Sequence, residues 1–295
     1  MNKTSKSKVV NITDFKIIKT ITENTKGIFT LLPYKDNKFA GNTETSLLIF
    51  NKDFQCEKII SHPEGIETFC TLSDGTFCIG SKDKSIIIGD YTIKNAHSYE
   101  IISIVALPNN RIASSAKDST IKIWKTNPPY SDTPIKVIDY SSMCMIYCKE
   151  RDLLVAQAEY ESIKLVNMTT YQCVTKIEEI PCYSGNGIYQ IDKDRVIVGG
   201  VGLINIVNLE SGKKESEIVD ESLDYAHAFL MLRDNKTILC GCSKEEFCFY
   251  DIESRKYIKT YKKGYHMDSV NDLVKIDEET FASCSKDKTI KIWKY

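Results

Sequence analysis

Arginine is scarce in this chain. Only five residues, Arg111, Arg151, Arg195, Arg233 and Arg255, contribute to its 39 basic side chains. Planar, bidentate recognition of phosphate or carboxylate favours arginine, so clustered-arginine pockets for phosphopeptides are excluded. An excess of charge is also lacking: 40 acidic residues balance the bases, and the formal net charge is −1. Nucleic-acid binding draws on a concentrated basic face, and none is legible. Long apolar runs are missing too. The run Ile101–Leu107 has a serine inside it and falls far short of the roughly 20 apolar residues of a membrane helix. The N-terminal MNKTSKSKVVNITDF is basic but has no apolar signal-peptide core. These absences lead to the expectation of a soluble, cytoplasmic protein without membrane insertion, nuclear or cytoskeletal association being left open.

Metal chemistry is poorly provided for. The cysteines number eleven, and no CxxC pair occurs; Cys240 and Cys242 are separated by one residue, Cys144 and Cys148 by three. Structural zinc sites use closely spaced pairs with His or Cys partners. Cys240, Cys242 and Cys248 lie instead in apolar, strand-like runs, as buried reduced thiols would, and an odd cysteine count suits a reducing compartment. No Gly-rich phosphate loop or convergent carboxylate pair is visible. Neither cofactor nor metal is expected.

What is present is a repeat. SKDKSIIIGD (81–90), AKDSTIKIWK (116–125) and SKDKTIKIWK (285–294) share a polar turn with Asp followed by an alternating apolar strand. Weaker copies of the strand read SLLIFN (46–51), SIKLVN (162–167), LINIVN (203–208) and EFCFYD (246–251). The fourth strand residue serves as an anchor: Phe50, Gly89, Trp124, Val166, Val207, Tyr250 and Trp293, at spacings of 39, 35, 42, 41, 43 and 43. Each unit runs strand, short polar turn, strand, Asp turn, anchor strand and a more polar fourth strand. Period-2 alternation, β-branched enrichment and regular turns argue for strands throughout, and no helix of ten or more residues is expected.

This unit resembles the WD40 repeat of the G-protein-beta-like β-propellers, whose copies of about 40–45 residues form four-stranded blades. The resemblance covers residues 15–295 and is strongest in copies two, three and seven. The WD dipeptide itself is absent, since Trp124 and Trp293 are each followed by Lys. It implies an all-β, seven-bladed ring over 15–295 preceded by a flexible tail, 1–14. The last copy ends with its third strand, and FKIIKTI (15–21) is an orphan strand ahead of the first. Pairing the two would close the ring and remove exposed sheet edges.

The family carries a buried hydrogen-bonded chain of His, Ser or Thr, Asp and Trp in each blade. The matching residues here are His97, Ser114, Asp118 and Trp124 in blade three, and His266, Ser283, Asp287 and Trp293 in blade seven. Blade two keeps His62 and Asp83 but has Ile79 and Gly89 at the other places, and the remaining blades lack the set. Ser, His and Asp together invite a hydrolase reading. The identical spacing in two blades, with Trp included, favours a structural role instead, and no enzymatic activity is expected.

Relatives of such propellers bind partners at the rim of the narrower, top face, where the connections before each first strand meet the turns between second and third strands. Those connections carry Tyr99, Tyr140, Tyr183, Tyr225 and Tyr265, and the turns carry Lys82, Lys117, Lys244 and Lys286, with Glu44, Glu159, Glu161 and Glu245 among them. Tyrosine is enriched at interfaces, and a rim of Tyr and Lys suits an acidic peptide. Residues 125–142 hold three of the seven prolines and are expected as an irregular outer loop, itself a possible contact. The resemblance implies a scaffold or adaptor, monomeric alone, that binds other proteins or peptides. A constitutive subunit of a ciliary, cytoskeletal or coat assembly and a ubiquitin-ligase substrate receptor are the alternatives. No WDxR-like docking sequence supports the last: the Trp contexts read WKTN and WKY.

Overall fold

Seven antiparallel four-stranded sheets are arranged in chain order in this computed structural model. It describes residues 15–23, 27–158, 162–181, 187–220, 223–243, 246–261 and 266–294. Among them the helical content is one 3-10 turn, Lys149–Arg151. Tight turns join the strands, and several use Asn or Asp with positive φ, as at Asp36, Asn37, Asn109 and Asn110. These are the residue types that tolerate the left-handed region.

The ring is closed as its ends require. Lys16–Ile21 pairs antiparallel with Ile290–Lys294, setting Ile17 opposite Trp293 and Ile21 opposite Ile290. The N-terminal strand thus becomes the outer strand of the seventh sheet. Blade seven therefore cannot detach without breaking a sheet ladder.

The buried apolar residues form seven clusters, each a wedge between two neighbouring blades. The wedge at the closure joins Val274, Ala282 and Ile292 of blade seven to Leu31, Phe39 and Phe50 of blade one. Stability is therefore spread around the disc, each fully buried Leu, Ile or Phe contributing about 1.5–3 kcal/mol of transfer free energy.

Blade two is clipped. Its third and fourth strands are only Ile86–Ile88 and Tyr91–Ile93, turned tightly at Gly89, whose φ is +57°. The proline-rich insertion compensates. Tyr130 stacks on Tyr91 with ring centroids 4.3 Å apart, and the Tyr91 hydroxyl donates to Asp132 Oδ1 at 2.6 Å. The insertion is irregular at first, but much of it leans on its neighbour before the chain re-enters blade three as the outer strand Lys136–Asp139.

Candidate functional site

In blades three and seven the expected polar residues meet in one unbroken chain. Trp124 Nε1 donates to Ser114 Oγ at 2.8 Å, Ser114 Oγ lies 2.8 Å from His97 Nε2, and His97 Nδ1 lies 2.9 Å from Asp118 Oδ2. Blade seven repeats it with Trp293, Ser283, His266 and Asp287 at 2.8, 2.7 and 2.8 Å. Indole N–H can only donate, so each serine accepts from Trp and donates to His, whose other nitrogen donates to Asp. Burial would raise the Asp118 carboxyl, but the Thr120 hydroxyl, the Ser98 N–H and His97 together hold it down at about 2. Burial pushes His97 and His266 below the usual histidine value, against the pull of Asp118 and Asp287. The arrangement is a neutral imidazole between a hydroxyl and a carboxylate, as in hydrolytic triads. Here, however, Ser114 and Ser283 are wholly buried and each oxygen already holds an indole.

Blade two builds a partial set differently. His62 Nε2 lies 3.0 Å from Ser81 Oγ, two residues past the expected place, which Ile79 fills. Asp83 Oδ2 stands 3.9 Å from His62 Nε2. In the other blades the position ten residues before the anchor, and the anchor itself, change together. Ala40 and Phe50, Ala156 and Val166, Ile197 and Val207, and Cys240 and Tyr250 replace Ser and Trp, and all are buried. Removing the serine with the tryptophan leaves no orphaned donor.

At the top of the disc, where the inner strands begin, the tyrosines differ in exposure. Tyr99 is 60% exposed and Tyr225 38%. Tyr140 is packed: Lys164 sits 4.3 Å from its ring centre, and its hydroxyl lies 3.3 Å from Ser162 Oγ. Tyr183, Tyr265, Lys244, Glu159, Glu161 and Glu245, like the 1–14 segment, lie outside the described residues. Lys286 is exposed. Lys82 and Lys117 are not free cations for an acidic ligand, for they pair with Glu44 at 3.2 Å and Glu100 at 2.5 Å. The sequence did not single out the exposed apolar residues Phe29, Val201 and Met267. Val201 forms a β-bridge with Tyr225.

The inner strands line a central channel with a cavity of about 420 Å³. Asp272 faces it and spans the closing joint. One oxygen accepts the Leu31 N–H of blade one at 2.8 Å, and the other accepts the Leu273 N–H at 2.8 Å. Beside it Asn271 Nδ2 donates to the Ile28 carbonyl at 2.8 Å. In blade three, Ser103 Oγ accepts the Met145 N–H of blade four at 3.2 Å. Burial pushes the Asp272 carboxyl up to about 7, against the two N–H donors that favour its ionised form. No group of three or more His, Cys, Asp or Glu able to hold a metal occurs among the described residues. Cys242 lies 3.6 Å from Cys248 and 3.9 Å from Cys240 through sulfur. All three are buried and reduced, and burial raises the Cys240 thiol.

A ring of seven four-stranded blades, closed by its own ends and bearing this polar chain, defines a propeller of repeats. The chain carries WD40 repeats in a seven-bladed β-propeller. Residues 91–125 and 256–294 match the model of the WD domain, G-beta repeat, and these segments contain the two complete polar sets. Over 60 residues the chain is 37% identical to DDB1- and CUL4-associated factor 10 of Homo sapiens, covering 20% of this chain and 11% of that protein. The Danio rerio protein of that name is 35% identical over 60 residues, covering 20% and 12%. A WD repeat-containing protein 55 homolog of Dictyostelium discoideum is 25% identical over 178 residues, covering 55% of this chain and 42% of the other. The matched stretch thus spans less than half of each of these relatives.

Proposed function

We propose that this chain is a non-enzymatic adaptor that holds other proteins against the top face of its propeller. One observation carries the reading: the Ser and His of both complete polar sets are buried, their Asp partners nearly so, and all are committed to the frame, whereas Phe29, Tyr99, Tyr225 and Met267 stand exposed near the starts of inner strands. Loops on a rigid scaffold are where binding residues concentrate. A reducing, cytoplasmic setting suits the free thiols. The test is affinity capture from the native cell with wild type and with Tyr99→Ala/Tyr225→Ala/Met267→Ala. Loss of a partner set from a variant that still melts like wild type supports the reading; retention of every partner overturns it.

A second reading, a ubiquitin-ligase substrate receptor, is favoured by the likeness to proteins named DDB1- and CUL4-associated factor 10. Against it stand the WKTN and WKY contexts. Mixing the purified chain with DDB1 and measuring co-elution separates the two readings.

A further inference from the structure

The inner strands do not begin cleanly. In blades two, three, six and seven the register slips by one residue at the first step, between Ile66 and Thr68, Ile101 and Ser103, Ala226 and Ala228, and Val270 and Asp272. The extra residues are Glu67, Ile102, His227 and Asn271. Blade one does the same one step earlier: the Phe29 N–H donates to the Asn42 carbonyl at 3.0 Å, although Asn42 is already paired with Thr30. A bulge re-aims its side chain out of the ladder and is favoured at barrel rims and beside binding sites. These bulges form a collar around the top mouth of the channel, with Glu67 in blade two between Phe29 of blade one and Ile102 of blade three.

The charges around Glu67 do not cancel. It interacts with Lys82, Glu100, Lys117 and Glu44. Both lysines are taken, Lys82 by Glu44 and Lys117 by Glu100. Glu67 forms no ion pair among the described residues and is exposed. The partial cover it receives raises its carboxyl above the ordinary glutamate value, opposed by Lys82 and reinforced by Glu100. Phe29, 46% exposed, and Met267, 82% exposed, stand just ahead of the inner strands of blades one and seven, the first and second neighbours of blade two on that side of the ring.

Resting on the top-face reading, we propose that the channel mouth at blade two binds one lysine or arginine side chain of an extended partner segment, with Glu67 as the countercharge. The residues next to that cation pack on Phe29 and Met267. The partner is thus a protein with a basic residue flanked by apolar ones, the opposite sign from the acidic ligand that the lysines suggest in the sequence. A carboxylate provides the full charge, and an aromatic ring next to it adds cation–π attraction.

The probe is a random peptide library displayed on phage, panned against the purified full chain. The sequences expected to emerge hold Arg or Lys beside apolar residues. A synthetic copy of a selected peptide should bind Glu67→Gln about tenfold more weakly or worse, bind Phe29→Ala more weakly, and weaken with rising salt. Glu278→Gln, on a turn at the opposite face, should bind as wild type. Melting curves confirm that each variant is folded, and Phe29→Leu replaces Phe29→Ala should the latter melt early. Peptides that are lost on Met267→Ala/Tyr225→Ala yet lack a basic residue and bind Glu67→Gln normally overturn this inference alone. A library that yields no top-face binder overturns both it and the top-face reading.

Discussion

Blades three and four differ in how they fill the same space. In blade three Ser114 and Trp124 join in a polar chain running to Asp118; in blade four Ala156 and Val166 occupy the same two positions. Each solution satisfies its own donors, so each can be fully buried. The difference teaches that Ser and Trp are exchanged as a pair: even blade two, which keeps His62 and Asp83, has lost both of those places, to Ile79 and Gly89. A pair that is wholly polar or wholly apolar is stable, and a mixture is costly.

The largest effect that would break this comparison is expected from Trp293→Ala. It removes the biggest side chain of the blade seven unit and leaves Ser283 without its donor, a loss of about 3–5 kcal/mol readable by denaturant unfolding. A loss below about 1 kcal/mol would mean that the indole is not part of the frame. Asp287→Ala should cost about 1–3 kcal/mol by depriving His266 Nδ1 of its carboxylate and the Met267 N–H of its acceptor. Ala156→Ser sharpens the comparison from the other side. It buries a lone hydroxyl with no Trp or His opposite and should destabilise by about 1–2 kcal/mol, although the same residue is at home in blade three.

A smaller effect concerns pH. The Asp272 carboxyl, pushed up to about 7, takes a proton in the folded state while an unfolded Asp stays ionised down to about 4. Acidification between those values therefore stabilises the fold. His97 and His266, held below their usual value by burial, act oppositely: below about 6.5 the unfolded histidines take protons first and stability falls. Asp272→Ala removes the compensating gain. Its melting temperature should drop further than that of wild type between pH 8 and pH 5, and parallel profiles would show that the carboxyl does not titrate in this window. Smallest of all, Lys117→Ala breaks only an exposed pair with Glu100 and should melt within error of wild type.

The ring itself was legible because its signal is periodic. The anchor spacing, the Asp turns and the orphan strand at 15–21 led to the blades and their closure, and the observed pairing of Lys16–Ile21 with Ile290–Lys294 agrees. The site was less legible because it depends on contacts between blades. Pairing of Lys82 with Glu44, 38 positions apart, crosses from blade two to blade one, and pairing of Lys117 with Glu100, 17 positions apart, folds back within blade three; both withdraw lysines from the rim expected to meet an acidic peptide. The bulges that expose Glu67 and Phe29 shift the strand by a single residue, which alternation in the sequence does not reveal. Asp272 left a signal, an acidic residue inside the apolar run VNDLVKI. Only the closed ring shows that it receives the Leu31 N–H of blade one.

The most direct test of the packing-unit account is a double-mutant cycle on Ser283 and Trp293, measured by equilibrium unfolding. Ser283→Ala orphans the indole N–H, Trp293→Phe removes it, and the double variant recreates the Ala and Phe pair of blade one. The account predicts a double variant that loses less than the sum of the singles, with a coupling of about 1–2 kcal/mol. Strict additivity would contradict it, leaving the buried serine without a structural reason.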